Sequence, residues 1–212
     1  MSGGAPTHQR DDNMEVVIKE LSEIEVADVG KCDGVFIVDS RLVVDVENNE
    51  VRYEIVGVPC FKKRYGEDDV DYATYVDSPD KTVFLAYVNG QVAGQIILRR
   101  NWNRYACIED IAVDVGFRRT GIGTALIAQA TRWARERNLP GIMLETQDNN
   151  VGACRFYECC GFKLRGFDTQ LYRGIDSGTD EIALYWYLVF ETGSAHQVDG
   201  DDQDTKVPVP FT

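Results

Sequence analysis

Runs of apolar, often β-branched residues mark the strands that the chain is expected to form. The clearest runs lie at 82–88, 92–98, 106–115, 142–146, 162–172 and 182–190. Asn89-Gly90 separates the first two runs, and this dipeptide favours a tight hairpin turn between two antiparallel strands. The last two runs are expected to pair as a second hairpin with a polar connection.

Two amphipathic segments predict helices among these strands. In the first, over 121–138, apolar residues recur at helical spacing, at Ile122, Leu126, Ala130 and Trp133. Leu139-Pro140-Gly141 is expected to end it, because proline cannot extend a helix and glycine suits a helix end. The second helix is predicted over 150–160 and is closed by Gly161.

The remaining segments set the boundaries of a single domain over 14–190. Segment 16–26 predicts a strand and a polar turn, and 35–58 predicts two edge or hairpin strands around the turn Glu47–Glu50. Residues 1–13 and the acidic stretch 191–212 have the polar composition of disordered segments. No chemistry is visible in the first sixty residues.

A charged, aromatic-rich stretch occupies 61–75 and includes Asp68 and Asp69. A run of charges is usually a solvated helix face or loop. The alternative is that its carboxylates form a rim that binds a cationic acceptor.

The chain is organised around a short loop between strand 106–115 and the helix that follows it. Arg118-x-x-Gly121-x-Gly123 combines two arginines, counting Arg119, with glycines at a helix N-terminus, where free N–H groups and the helix dipole favour an anion. It is not a Walker loop, because no Gly-Lys-Ser/Thr follows, and Leu126 replaces the third glycine of a dinucleotide fingerprint. A tight turn into a core helix would explain the loop equally well.

A second motif favours the anion site. Asn150-x-x-Ala153-x-x-Phe156-Tyr157, followed by Gly161-Phe162, resembles the closing helix of the GNAT superfamily of N-acetyltransferases, and the glycine loop resembles its acyl-CoA loop. Segments 108–113, 140–147 and 166–168 and the strand 183–187 resemble the streptothricin acetyltransferases, antibiotic-resistance members of that superfamily. The resemblance covers roughly residues 61–190 and is strongest over 102–172.

The resemblance implies an α/β (α+β) GNAT fold, with a mixed sheet of about seven strands splayed in the middle and flanked by helices. It places acetyl-CoA over a core at about 82–172. The implied cofactor contacts are Ile111, Ala112, Val113, Arg118, Arg119, Thr120, Gly121, Ile122, Gly123, Thr124, Asn150 and Ala153. Asn150 would serve equally well as a helix N-cap.

The implied reaction needs a base for the amine and an acid for the leaving sulfur. Glu109 is the expected base, and in a regular strand it would project to the same side as Ile111, with Asp110 opposite. Its alternative roles are to bind a cationic acceptor or to pair with an arginine. Tyr157 matches the family's acid, although a lone tyrosine on an apolar helix is more often core. Trp102, Asp110 and Glu145, with Asp68 and Asp69, are expected to contact the acceptor.

Composition limits the partners. The net charge of −13 on 212 residues opposes nucleic-acid binding and attracts cations. No membrane-length apolar run or signal peptide is present, so a cytoplasmic enzyme, monomeric or homodimeric, is expected. The six cysteines have no zinc-ligand spacing and the two histidines lie in the tails, so no metal site is expected.

The preferred acceptor is a cationic small-molecule amine, with the β-lysine moiety of streptothricin as the specific candidate from the resemblance. Two alternatives remain at this point. The same motifs would serve an acetyltransferase for a polyamine or a protein amine, and they would also serve a non-catalytic acyl-CoA sensor. The presence of both Glu109 and Tyr157 argues against the sensor.

Overall fold

The computed structural model describes residues 15–66 and 70–191, which form nine strands and two α-helices. The strands are β1 (Val16–Glu20), β2 (Phe36–Glu47), β3 (Glu50–Lys63), β4 (Lys81–Val88), β5 (Gln91–Arg100), β6 (Ala106–Val113), β7 (Gly141–Gln147), β8 (Lys163–Asp168) and β9 (Ala183–Val189). The helices are α1 (Ile122–Glu136) and α2 (Val151–Cys159). The predictions for 1–13 and 192–212 lie outside the described residues.

Seven of the strands form one mixed sheet in the order β1-β4-β5-β6-β7-β9-β8. Only β6 and β7 pair in parallel, and α1 connects them, as a parallel pair requires. Strand β9, the last strand in sequence, lies between β7 and β8, so β8 is the edge strand of the sheet. The predicted mixed sheet of about seven strands is therefore confirmed.

Strands β2 and β3 form a separate two-stranded hairpin. The sequence predicted either edge strands or a hairpin here, and the structure shows the hairpin. Its turn is Asn48-Asn49, and both residues have positive φ (52° and 64°), a conformation that asparagine tolerates and that two-residue hairpins need. Leu42 anchors the hairpin: its side chain is buried in the main core, and its N–H donates to the carbonyl of Asp148 after β7.

Helix α1 packs on the main sheet through the predicted apolar face, because Ile122, Leu126, Ala130 and Trp133 are all buried. Its predicted end needs a correction. The helix ends before Asn138, which takes the left-handed conformation (φ 53°), whereas Gly141 already belongs to β7. Position 141 requires glycine, because a Cβ there would lie 2.3 Å from the carbonyl oxygen of Leu188.

A second, smaller core lies on the face of the sheet away from α1. It contains Leu21, Tyr75, Val83, Leu85 and Ile97. None of the helices in the described part of the chain is long and apolar enough to cross a membrane.

Candidate active site

The two central strands form a fork. Strands β6 and β7 pair only from Ala106 opposite Ile142 to Ile108 opposite Leu144, although both strands continue further. Beyond this point β6 still pairs with β5, and β7 still pairs with β9. Residues 111–113 therefore present a strand edge that no described strand pairs with on the β7 side. The splay that the resemblance implied is confirmed.

A β-bulge lies at the apex of the fork. Ile97 of β5 pairs with Asp110 and the adjacent Leu98 pairs with Ile108, so Glu109 is an extra residue in β6. Because of this bulge, the prediction that Glu109 projects to the same side of the strand as Ile111 is wrong. Ile111 packs against the core under α1, whereas Glu109 and Asp110 both project to the opposite face. Two consecutive carboxylates therefore share one face of the sheet.

Protein groups already hold the carboxylate of Glu109. The Nε of Arg99 donates to one oxygen at 2.6 Å, and the hydroxyl of Tyr75 donates to the other at 2.8 Å. The arginine pairing that the sequence left open is thus present. Asp110 accepts a hydrogen bond from the side-chain amide of Gln95 at 2.6 Å. A role for Glu109 as base stays a prediction.

The glycine loop leads from β6 into α1 through left-handed residues. Arg119 has φ 63°, and Gly121, the N-cap residue, has φ 92°, which glycine adopts without steric cost. The first N–H groups of α1 have no partner within the helix, and its first turn carries no acidic residue. The loop therefore has the electrostatics of an anion site, at the open end of β6.

Arg118 folds back on the loop. Its Nε donates to the carbonyl of Val113 at 3.1 Å, at the end of the free strand edge. A second guanidinium nitrogen lies 3.4 Å from the carbonyl of Asp33. Arg119, Thr120 and Thr124 are exposed nearby. Contact of these side chains with a cofactor stays a prediction.

The two residues that follow Gly121 face the protein interior. Ile122 is 1% exposed and lies in the main core, so its side chain is not accessible to a ligand. A Cβ on Gly123 would lie 3.0 Å from the Cζ atom of Phe156 and 3.6 Å from a methyl group of Val113. Gly123 therefore permits close packing of α1 on α2, beyond the phosphate approach that the sequence suggested.

Tyr157 is 6% exposed, and its ring contacts those of Phe156, Phe162 and Trp186. Its hydroxyl forms no hydrogen bond with the described residues. Burial raises the pKa of Tyr157 well above its usual value, and the nearby Tyr65, Cys154, Asp110 and Glu145 add to the rise. The hydroxyl therefore stays protonated, and carboxylates on both arms of the fork contribute to the raised pKa of Tyr157.

Asn150 is the N-cap residue of α2, which is one of the two roles that the sequence allowed for it. Its Oδ1 accepts from the N–H of Ala153 at 3.2 Å, which is the N-cap bond. Its amide nitrogen also donates to the hydroxyl of Tyr65 at 3.0 Å. Contact of Asn150 and Ala153 with a cofactor stays a prediction.

The predicted acceptor residues are only partly brought together. Glu145 is the first residue of β7 beyond the last β6–β7 pair, and it accepts a hydrogen bond from the hydroxyl of Tyr172. Trp102 is 79% exposed in the turn between β5 and β6. Asp68 and Asp69 lie outside the described residues.

Several residues of the site carried no sequence signal of their own. Tyr65, Tyr75 and Arg99 come from a loop, a 3-10 turn and an ordinary strand, and Tyr172 comes from a 3-10 turn between β8 and β9. The one hint in the sequence was that Tyr65 and Tyr75 belong to the charged, aromatic-rich stretch 61–75. All six cysteines are free thiols, and the described residues contain no cluster of side chains suited to a metal.

Comparison with known proteins agrees with this geometry. Residues 42–162 match the acetyltransferase (GNAT) family. The chain is 40% identical over 176 residues to streptothricin acetyltransferase A of Bacillus subtilis (strain 168), and the match covers 82% of this chain and 100% of that relative. The streptothricin acetyltransferase of Escherichia coli is 37% identical over 166 residues, with 77% of this chain and 90% of that relative covered.

A solved structure is also similar. The 1.6 Å crystal structure of a Bacillus anthracis (strain Ames) protein assigned as a streptothricin acetyltransferase contains acetyl coenzyme A. Its sequence is 44% identical to this chain, and the TM-score is 0.78. The match covers 84% of this chain and 99% of that protein.

Proposed function

This chain belongs to the acetyltransferase (GNAT) family and is an acetyl-CoA-dependent N-acetyltransferase, and we propose that its acceptor is a primary amine of streptothricin. The observation that carries the proposal is the fork between β6 and β7. It connects an anion site at the start of α1 with a buried tyrosine and with acidic residues on the opposite face of the sheet.

The fork fits the parts of acetyl-CoA. The backbone edge at 111–113 offers groups for the amides of the pantetheine arm, and the N-terminus of α1 suits a pyrophosphate. Arg118 and Arg119 supply guanidinium groups beside that helix end. When bound, acetyl-CoA supplies the acetyl group as a thioester.

Tyr157 is the proton donor in this proposal. Its raised pKa keeps the phenol protonated at neutral pH, and its hydroxyl is not engaged by the described residues. It donates its proton to the departing sulfur, so that a thiol and not a thiolate leaves. A backbone N–H of segment 111–113 polarises the carbonyl that is attacked.

The acceptor side of the fork suits a cation. Asp110 and Glu145 stand on the two arms of the fork, where Gln95 donates to Asp110 and Tyr172 donates to Glu145, and both carboxylates contribute to the raised pKa of Tyr157. The net charge of −13 attracts a polycation over a longer range and opposes nucleic-acid binding. Streptothricin is the acceptor in the names of the curated relatives, and acetylation of its β-lysine moiety removes a positive charge. Resistance to the antibiotic would be the biological result.

Release of free thiol from acetyl-CoA tests the proposal. Purified protein is given streptothricin, with spermidine and a lysine peptide in parallel, and acetyl-CoA binding is followed by calorimetry. We expect rapid thiol release that depends on streptothricin and is much slower with the other amines. Preference for spermidine or the peptide would replace the acceptor, whereas binding of acetyl-CoA without transfer to any amine would mean a sensor.

A further inference from the structure

Glu145 occupies the apex of the fork on the β7 side. Leu144, the residue before it, is the last β7 residue that pairs with β6, and its side chain lies in the core under α1. Alternation along the strand turns Glu145 to the other face, which Glu109 and Asp110 also share. The negative charge of Glu145 contributes to the raised pKa values of Tyr157 and Tyr65. Glu145 therefore stands on the same face as Glu109 and Asp110, at the point where β6 and β7 separate.

The carboxyl of Glu145 has no cationic partner among the described residues. Its hydrogen bond comes from the hydroxyl of Tyr172, which the 3-10 turn of the β8–β9 connection holds over β7. Partial burial raises the pKa of Glu145, and the hydrogen bond from Tyr172 works against that rise. Glu109 differs, because Arg99 and Tyr75 already occupy both of its oxygens.

We propose that Glu145 takes the proton from the acceptor's ammonium group and that Tyr172 is the positioning residue that keeps the Glu145 carboxyl at the fork. This inference rests on the proposed acetyl transfer. Glu109, held by Arg99 and Tyr75, then shapes the bulge and does not exchange protons with the acceptor.

The protons balance in this scheme. Glu145 accepts one proton from the ammonium, the freed amine nitrogen forms its bond to the acetyl carbon of the thioester, and the carbon–sulfur bond breaks. The nitrogen gives up a second proton when the amide forms. One of these two protons replaces the proton that Tyr157 gives to sulfur, and Glu145 passes the other to solvent.

Five weakly acidic groups around Glu145 do not ionise in the pH range where its carboxyl group does. They are Cys107 on β6, Tyr65 after β3, Tyr157 on α2, Tyr172 in the β8–β9 connection and Tyr185 on β9. Burial raises the pKa of each of these neutral acids, so all five stay uncharged in the neutral range. Glu109 and Asp110 on β6 are the other carboxylates on this face, so the acidic limb is assigned to Glu145 by comparing the Glu145→Gln and Glu109→Gln variants.

The test measures kcat, the acceptor KM and the pH dependence of kcat with streptothricin, for the wild type and for Glu145→Gln, Tyr172→Phe and Glu109→Gln. Tyr87→Phe is the matched control, because Tyr87 donates a comparable hydrogen bond to Asp28 away from the fork. Melting curves and acetyl-CoA calorimetry show that each variant is folded.

We expect Glu145→Gln to lower kcat by about 100-fold or more and to abolish the acidic limb. Tyr172→Phe should move that limb to higher pH, because the carboxylate loses the hydrogen bond that favours its charged form. Glu109→Gln should keep kcat within about tenfold, with the limb in place. Tyr87→Phe should match the wild type.

Two results would overturn the inference and leave acetyl transfer standing. One is a Glu145→Gln variant that changes only the acceptor KM and keeps the acidic limb, because Glu145 would then merely bind the amine. The other is loss of the limb in Glu109→Gln instead. A wild type that transfers acetyl to no amine would refute the proposed function itself.

Discussion

Gly123 and Phe156 fix the distance between the two helices of the site: a Cβ on Gly123 would lie 3.0 Å from Cζ and 3.2 Å from Cε2 of the Phe156 ring. Real side chains rarely come so close, so any larger residue at position 123 would require the Phe156 ring or the start of α1 to shift by a few tenths of an ångström. The close contact between the first turn of α1 and Phe156 of α2 therefore depends on the absence of a side chain at Gly123.

Gly123→Val should consequently destabilise the protein by about 1–3 kcal/mol through overpacking, and it should weaken acetyl-CoA binding because the start of α1 is displaced. Thermal unfolding and calorimetry measure the two effects. Gly152→Ala is the matched control. Gly152 lies in α2, and a methyl group added there would meet no atom within 4 Å, so helix propensity should raise the stability by up to about 1 kcal/mol. A Gly123→Val protein as stable as the wild type would refute this account of the contact.

Tyr157→Phe should lower kcat by about 100-fold or more while the KM for acetyl-CoA changes little, because only a proton donor is removed. The melting temperature should not fall, since the hydroxyl forms no hydrogen bond with the described residues. Tyr53→Phe, another tyrosine whose ring contacts Trp186, serves as the control and should keep its kcat. Unchanged turnover in Tyr157→Phe would exclude this residue as the acid.

Arg118→Ala should raise the KM for acetyl-CoA about tenfold and leave kcat within about twofold, because a guanidinium at the phosphate loop contributes binding and not chemistry. The effect of added salt on KM should also become smaller in the variant. Arg132→Ala, on the exposed side of α1, is the control and should behave as the wild type. Equal KM values for Arg118→Ala and the wild type would show that the loop arginine does not reach the cofactor.

Arg41→Ala should destabilise the protein by about 3 kcal/mol at neutral pH, because it leaves the fully buried carboxylate of Asp148 without its cation. Arg52→Ala, which removes an exposed ion pair with Glu47 on the same hairpin, should cost less than about 1 kcal/mol. Chemical denaturation of both variants measures the difference. If the two variants lost equal stability, burial of Asp148 would not explain the effect of Arg41→Ala.

The stability loss of Arg41→Ala should also depend on pH. Burial raises the pKa of Asp148, and Arg41 opposes that rise. Without Arg41 the folded-state pKa of Asp148 rises further above its unfolded value, so the folded state binds a proton more tightly than the unfolded chain. Acidification through that raised pKa therefore stabilises the variant, and its deficit should shrink as the pH falls from 7 toward the usual range of a carboxyl group. A deficit independent of pH would mean that Asp148 is not the cause.

Local sequence patterns are sufficient to predict several parts of the site. The spacing of Ile122, Leu126, Ala130 and Trp133 identifies α1, and the glycine loop identifies its N-terminus. The motif from Asn150 to Tyr157 identifies α2 and the family. Each of these signals depends on neighbours within a few turns of chain, and backbone geometry translates such spacing directly into a helix face or a loop.

The hydrogen-bond partners of the carboxylates, in contrast, depend on how the strands and their connections assemble. The bulge at Glu109 exists because β6 pairs out of step with β5, and a shift of one residue turns a side chain to the other face. The hydrogen bond from Tyr172 to Glu145 joins the β8–β9 connection to strand β7 across 27 residues of sequence, and the bond from Tyr75 to Glu109 spans 34 residues. Contacts at such separations leave no periodic mark in the sequence, since they arise from how the strands assemble and not from the preferences of any segment.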